Sequence, residues 1–167
     1  DFLTYNPSID ESISLSLKDP ILIVRDIAKR KGDNAYNLYK NDIVISADTI
    51  VVLDNEILGK PRDEKDAFNM LKKLSNKTHQ VITAYSIHYK EKHILNHVVS
   101  HVTFCDLSDD TIKQYVDSKS PLDKAGAYGI QDNENFHIIK KYKGSYTNIV
   151  GLPMDELIES INQIKMG

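Results

Sequence analysis

The chain has 167 residues, 41% of them hydrophobic and 27% charged, with a net charge of −3. That length buries roughly two thirds of the unfolded surface in one domain without a disulfide or metal staple, and the residue mix is that of an ordinary soluble globular protein. The slight acidic excess argues against duplex nucleic acid as a partner, the lone Cys105 excludes an internal disulfide and points to a reducing compartment, and no run nears the ~20 apolar residues of a membrane span.

No secretory leader pattern opens the chain, which begins at Asp1 rather than at Met. A cytoplasmic protein without membrane or nucleic-acid partners is therefore expected. Residues 1–17 are polar and read as irregular. Asp19-Pro20 then supplies an N-cap and a first-turn proline for a helix whose apolar stripe is Ile21, Val24, Ile27 and Ala28. "DIVISADTIVVLD" is a β-branched run, followed by an Asp54-Asn55 turn and the short strand "EILGK". "RDEKDAFNMLKKLS" is an amphipathic helix capped by Asp63. Two long strands, "HQVITAYSIHYK" and "HILNHVVSHVTFCDL", meet at Glu91-Lys92. A helix capped by Ser108 comes next, then a loop "SPLDKAGAYGIQ" running into a strand, the strand "FHIIKKY", a Gly-bearing loop "KGSYTNIVGLP" and a last helix from Pro153. The fold class is α/β: a mixed, elongated central sheet flanked by helices, forming one domain over residues 1–167 with two lobes around a cleft.

Asp48 is the first residue out of place. Period-two alternation puts Val44, Ser46, Asp48 and Ile50 on one face of the strand. Asp is disfavoured in strand interiors and costly to bury unpaired. Two readings stay open: a bulge or edge of the sheet, or a carboxylate wanted in a cleft. Gly59-Lys60-Pro61 follows, with a glycine that admits close backbone approach and a compact cation for phosphate oxygens. "DKAGAYGIQ" and "KGSYTNIVGLP" bring glycines among polar residues, which suits ligand-lining loops; as a bulge or a helix cap they would be purely structural. No Walker lysine and no G-x-G-x-x-G occurs. His93, His97 and His101 share a strand face, but without carboxylate or cysteine spacing they read as an ordinary solvated or interface face.

Taken in order, "SADTIVV…LGKP", "AFNMLKKLSNKTHQVIT", "YVDSKSPLDKAGAYGIQ" and "KGSYTNIVGLPM" resemble the Maf family, nucleoside triphosphate pyrophosphatases related in fold to the inosine triphosphate pyrophosphatases. The resemblance runs from about Asp10 to the end. It implies a divalent-metal-dependent hydrolase, using Mg²⁺ or alternatively Mn²⁺ or Co²⁺, that converts dTTP, UTP or modified nucleoside triphosphates to monophosphate and pyrophosphate. It also implies a homodimer. Carried over by motif, Asp48 of "SADT" falls on the family's acidic catalytic residue and is expected as a metal ligand. Glu11 of "IDES" is the second metal ligand. Lys31 and Lys60 contact the triphosphate, and Gln131 of "YGIQ" contacts substrate, as in the dTTP/UTP-type branch. The family's opening S-x-S-P-R-R phosphate loop has no counterpart in the given sequence and is expected to lie outside it. Asn76 stands where glycine is usual, Asp132-Asn133 follow Gln131 where glycine is common, and Gly32 stands where alanine is usual and would end the helix early. The competing class is a nucleotide-binding regulatory protein, of the kind proposed for septum formation, that does not hydrolyse its ligand.

Overall fold

The computed structural model describes residues 2–167. Helix α1 (Pro20–Leu38) starts as expected, with the Asp19 side chain accepting from the Ile21 amide at 2.8 Å. Gly32 does not end it. A Cβ at that position would lie 2.8 Å from both Ser46 Oγ and Ser86 Oγ, so the glycine is what lets α1 lie close on the sheet.

The sheet is built from β1 (Val44–Leu53), β2 (Glu56–Leu58), β3 (Thr78–Tyr89), β4 (Lys92–Phe104) and β5 (Ile139–Lys143), in the spatial order β2-β1-β3-β4-β5. Every pairing among these strands is antiparallel. Asp54 and Asn55 both take positive φ, +50 and +66, the mirror-image turn that matches the twist of a two-residue hairpin. The β3–β4 turn falls at Lys90-Glu91, one residue earlier than expected, with Lys90 at φ +55. Asn76 adopts φ +56, the conformation that glycine would take without strain and that asparagine tolerates.

Register then divides the molecule into layers. Asp48 pairs with Ala84 and Ile50 with Ile82, so Ser46, Asp48, Ile50, Val52, Ile82, Ala84 and Ser86 share one face. Val24 and Ala28 of α1 pack against the apolar part of that face. The opposite face carries Val51 and Val81, which pack with α2 (Glu64–Leu74) and α3 (Asp109–Asp117), and Tyr85 and Ile87, which pack with Leu157 and Ile164 of α6 (Met154–Met166). This is an α/β domain with helices on both faces of an elongated sheet.

Two stretches differ from the sequence reading. Residues 120–132 form no strand but three 3₁₀ turns leading into the single-turn helix α4 (Asn133–Phe136). The extended run is broken where Gly126 and Ala127 take φ +69 and +61, and a Cβ on Gly126 would meet Val51 Cγ2 at 2.9 Å. The second Gly-bearing loop contains the short helix α5 (Tyr146–Val150), capped by Ser145 and closed by Gly151 at φ +127. The polar start of the chain also contains a 3₁₀ turn, Glu11–Ser16, capped by the Asp10 side chain.

Candidate active site

Asp48 lies on the part of β1 that pairs with β3 and not with β2, and it lines a cavity. Residues Val44–Val52 pair with β3, whereas β2 covers only Val51–Leu53. Asp48 therefore lies on a stretch of β1 whose outer edge has no strand neighbour among the described residues, and it faces α1. Its Oδ1 accepts from Lys31 Nζ at 2.8 Å. The same ammonium is 3.0 Å from Glu11 Oε1. Glu11 can reach because its 3₁₀ turn is pinned to α1: Arg30 donates to the Asp10 carbonyl at 2.7 Å and to Ser14 Oγ at 3.1 Å, and Ser14 Oγ donates to Asp26 at 2.6 Å.

Burial pushes the Asp48 carboxyl above its ordinary value; Lys31 and Lys60 oppose that rise and Glu11 adds to it. For Lys31, burial works against the charge, but the Asp48 and Glu11 carboxylates outweigh it and hold the ammonium above its ordinary value. The result is one cation held between two carboxylates beside an open sheet edge.

A cavity of about 300 Å³ adjoins this edge, lined among others by Asp48, Lys60, Asp123, Lys124, Tyr128 and Gln131. Lys60 follows β2 directly, and the Gly59 carbonyl accepts from the Gly126 amide at 3.1 Å, which ties the "GKP" turn to the opposite wall. Open space surrounds the Gly59 Cα on the side a Cβ would take. The charge of Lys60 acts on both Asp48 and Asp123. Thr49 Oγ1, on the cavity side of β1, donates to the Gly151 carbonyl at 3.3 Å and brings the second Gly-bearing loop to the rim. Tyr128 is fixed from behind: its hydroxyl is 2.6 Å from His79 Nε2, and its ring meets those of His79 and Phe104 edge-on.

Asp48, Lys60 and Gln131 thus line one cavity; Lys31 and Glu11 do not line it, but Lys31 pairs with Asp48 and Glu11 pairs with Lys31. Asp123 and Lys124 also line it; sequence reasoning had them inside a ligand-lining loop but singled out only Gln131. A larger cavity, about 770 Å³, lies between the first residues of the chain and residues 42–47. Its lining is mostly apolar but includes Lys31, whereas Asp48 and Lys60, of opposite charge, line the smaller one.

The histidine face of β4 is covered by α1 in part. His93 Nε2 is 2.8 Å from Ser86 Oγ and its ring stacks on His88 at 4.2 Å, while His97 Nδ1 is 2.9 Å from Arg25. Asp33, His88 and Ser86 form a chain of contacts, 2.9 Å from Asp33 Oδ1 to His88 Nε2 and 3.5 Å from His88 Nδ1 to Ser86 Oγ. Ser86 is fully buried, so it offers no nucleophile to a substrate.

A family profile described as "Maf-like protein" matches residues 1–164. The chain is 48% identical over 159 residues to a "dTTP/UTP pyrophosphatase" of Flavobacterium psychrophilum, covering 94% of this chain and 80% of that protein. Proteins of the same name from Dictyoglomus turgidum and Aquifex aeolicus are 41% identical over 165 residues and 42% identical over 147. These alignments cover 98% and 88% of this chain, and 85% and 77% of those proteins. With the profile spanning nearly the whole chain and the sheet, helices and cleft arranged as described, this chain belongs to the Maf-like protein family.

Proposed function

We propose that the chain is a nucleoside triphosphate pyrophosphatase that hydrolyses dTTP and UTP, and modified nucleotides of the same shape, to the monophosphate and pyrophosphate. The observation that carries this reading is that Asp48, Lys60 and Gln131 line one cavity while Lys31 reaches Asp48 from the neighbouring one, in a chain 41% and 48% identical to proteins named for that activity. The whole chain acts as one domain whose two lobes flank the cleft, in the cytoplasm, as a homodimer, without nucleic acid.

The reaction is attack by water on the α-phosphorus, with the P–O bond to the pyrophosphate breaking. Little covalent work falls to the protein, and the rate comes from positioning and charge neutralisation. Asp48 accepts a proton from the attacking water or orients it. Its raised proton affinity makes it a better base than an exposed aspartate. Lys60, across the cavity, neutralises oxygens of the phosphate chain and the departing pyrophosphate. Lys31 couples Asp48 to Glu11 and turns to phosphate oxygens when substrate enters. Gln131 reads the nucleoside.

A divalent ion fits these residues. Two carboxylates already converge on one cation, and no cluster of three or more His, Cys, Asp or Glu side chains forms a closed cage among the described residues. That donor set suits Mg²⁺, which takes one or two carboxylates and completes its shell with water and phosphate oxygens; Mn²⁺ or Co²⁺ would be accepted on the same oxygens. Asp48 and Glu11 would hold the ion, which supplies charge neutralisation along the triphosphate.

The test is pyrophosphate release from a panel of nucleoside triphosphates with Mg²⁺. Release from dTTP and UTP above the other nucleotides is expected, and Asp48→Asn should lower kcat by about two orders of magnitude while the fold persists. Nucleotide binding without any release would point instead to the regulatory class, and near-normal turnover in Asp48→Asn would remove Asp48 from the mechanism.

A further inference from the structure

In the wall of the cavity from Ser120 to Asp132, several hydrogen bonds run toward one carboxylate oxygen. Asp132 Oδ2 accepts from Tyr115 OH at 2.7 Å and from Ser120 Oγ at 2.7 Å. Each donor is itself an acceptor. Tyr115 OH takes the Gly129 amide at 3.0 Å, and Ser120 takes Lys124 Nζ on its carbonyl at 2.6 Å and on its hydroxyl at 3.1 Å. Two relays, Gly129 to Tyr115 to Asp132 and Lys124 to Ser120 to Asp132, therefore end on the same atom. The Asp132 amide also donates back to the Gly129 carbonyl at 3.1 Å, closing the turn.

Gln131 lies inside that turn. A Cβ on Gly129 would come within 2.9 Å of Gln131 Oε1 and 3.0 Å of Lys124 Cε, so both side chains rest against the bare Cα of Gly129. The residue on each side of Gln131's turn, and the lysine beside it, are thus fixed through Asp132. Tyr115 is fully buried on α3, and burial holds its phenol above the ordinary range, so it stays a donor to the carboxylate at any working pH.

We infer that Asp132 is a positioning residue for nucleotide binding: its carboxylate, acting through Tyr115 and Ser120, sets Gln131 and Lys124 in the cavity wall. Asp132 acts through these neighbours, away from Asp48 and the reacting phosphate. The inference rests on the proposed nucleotide site, so its loss should weaken substrate binding and leave the chemical step nearly intact.

The experiment measures Kd for a dTTP analogue with a non-hydrolysable α,β bridge, together with KM and kcat for dTTP. Asp132→Ala should raise Kd and KM together by about tenfold, with kcat held within about twofold, as expected when hydrogen bonds to a charged group are removed. Asp132→Asn keeps an oxygen that can face both hydroxyls and should recover most of the affinity. Should Asp132→Ala not fold, Tyr115→Phe and Ser120→Ala each cut one relay without changing the backbone. Smaller rises in Kd from each, short of additive in the double variant, support the same conclusion. A folded Asp132→Ala, or both single-relay variants, with wild-type Kd and only a lowered Tm would overturn it. Wild type that binds the analogue but releases no pyrophosphate from dTTP overturns the activity and leaves the positioning role intact. Wild type that does not bind the analogue overturns both.

Discussion

Asp48 is costly where it stands, because a strand interior offers a carboxylate little solvent and no cap. The cost is met by Lys31 at 2.8 Å and by the partial exposure of the carboxylate to the cavity it lines. Lys60 differs from Lys31 in having no carboxylate within ion-pair distance among the described residues, so it can meet phosphate without first breaking one of those pairs. Lys60→Ala is therefore expected to raise KM for dTTP by about tenfold or more, with a smaller effect on kcat, as steady-state kinetics would read. An unchanged KM would remove Lys60 from the site. Glu11 is exposed enough to exchange Lys31 for a metal ion, so Glu11→Gln should weaken Mg²⁺ affinity by about tenfold, measured calorimetrically without substrate. Asp48 stood out in the sequence because a carboxylate is unusual inside a strand, whereas Lys60, in a turn where lysine is ordinary, was named through the family resemblance. Asp123 and Lys124 were not separable from their loop, since a turn rich in polar residues looks alike whether it lines a ligand or faces water.

Helix α1 carries Lys31 to Asp48, and its distance from the sheet is set at Gly32. The atoms that crowd this position belong to Ser46 and Ser86, short side chains that are themselves hydrogen-bonded, Ser46 to the Ala28 carbonyl and Ser86 to His93. They have little room to turn away. Gly32→Val should cost about 1–3 kcal/mol through overpacking, despite valine's better helix propensity, and should displace Lys31 enough to lower activity as well. Urea denaturation reads the first effect; a variant as stable as the parent would show that α1 can shift outward freely. The sequence reading had this glycine end the helix, because intrinsic propensity counts only local backbone entropy. The same limit explains residues 120–132. A loop running into a strand was expected there, but Gly126 is pressed against Val51, and Tyr115 and Asp132 pull the chain into successive turns.

Across the whole molecule the cavity wall is anchored to the sheet at His79. This side chain is 2% exposed, touches Tyr128 and Phe104, and its Nδ1 has no hydrogen-bond partner among the described residues. Burial lowers its pKa from 6.5 to about 4. The unfolded chain then binds a proton below about pH 6.5 that the folded chain refuses, so the contribution is complete above that pH and fades as pH falls toward 4. The expected loss is about 3 kcal/mol by about pH 4. Chemical denaturation of wild type and His79→Gln at about pH 7 and about pH 4.5 checks this: the variant should show a much flatter dependence, and parallel curves would clear His79 of the effect. Tyr128 being tied to His79, this anchor and the cavity lined by Asp48 and Lys60 share one wall.

The sequence by itself determined the elements and their starts: the caps at Asp19, Asp63 and Ser108, the stripes of the long helices, the β-branched strands, and the motifs that identify the family. Those signals act over a few residues, through capping hydrogen bonds, rotamer freedom and periodic burial, and so can be read locally. Only the tertiary structure decided that β2 stops short and leaves Asp48 at an edge, and that Glu11, Lys31 and Asp48 share one charge cluster although they come from a 3₁₀ turn, a helix and a strand. It likewise decided that two relays from separate turns end on Asp132. Hydrogen bonds and ion pairs of this kind depend on distances of about 3 Å between residues far apart in the chain, which register and packing alone bring about.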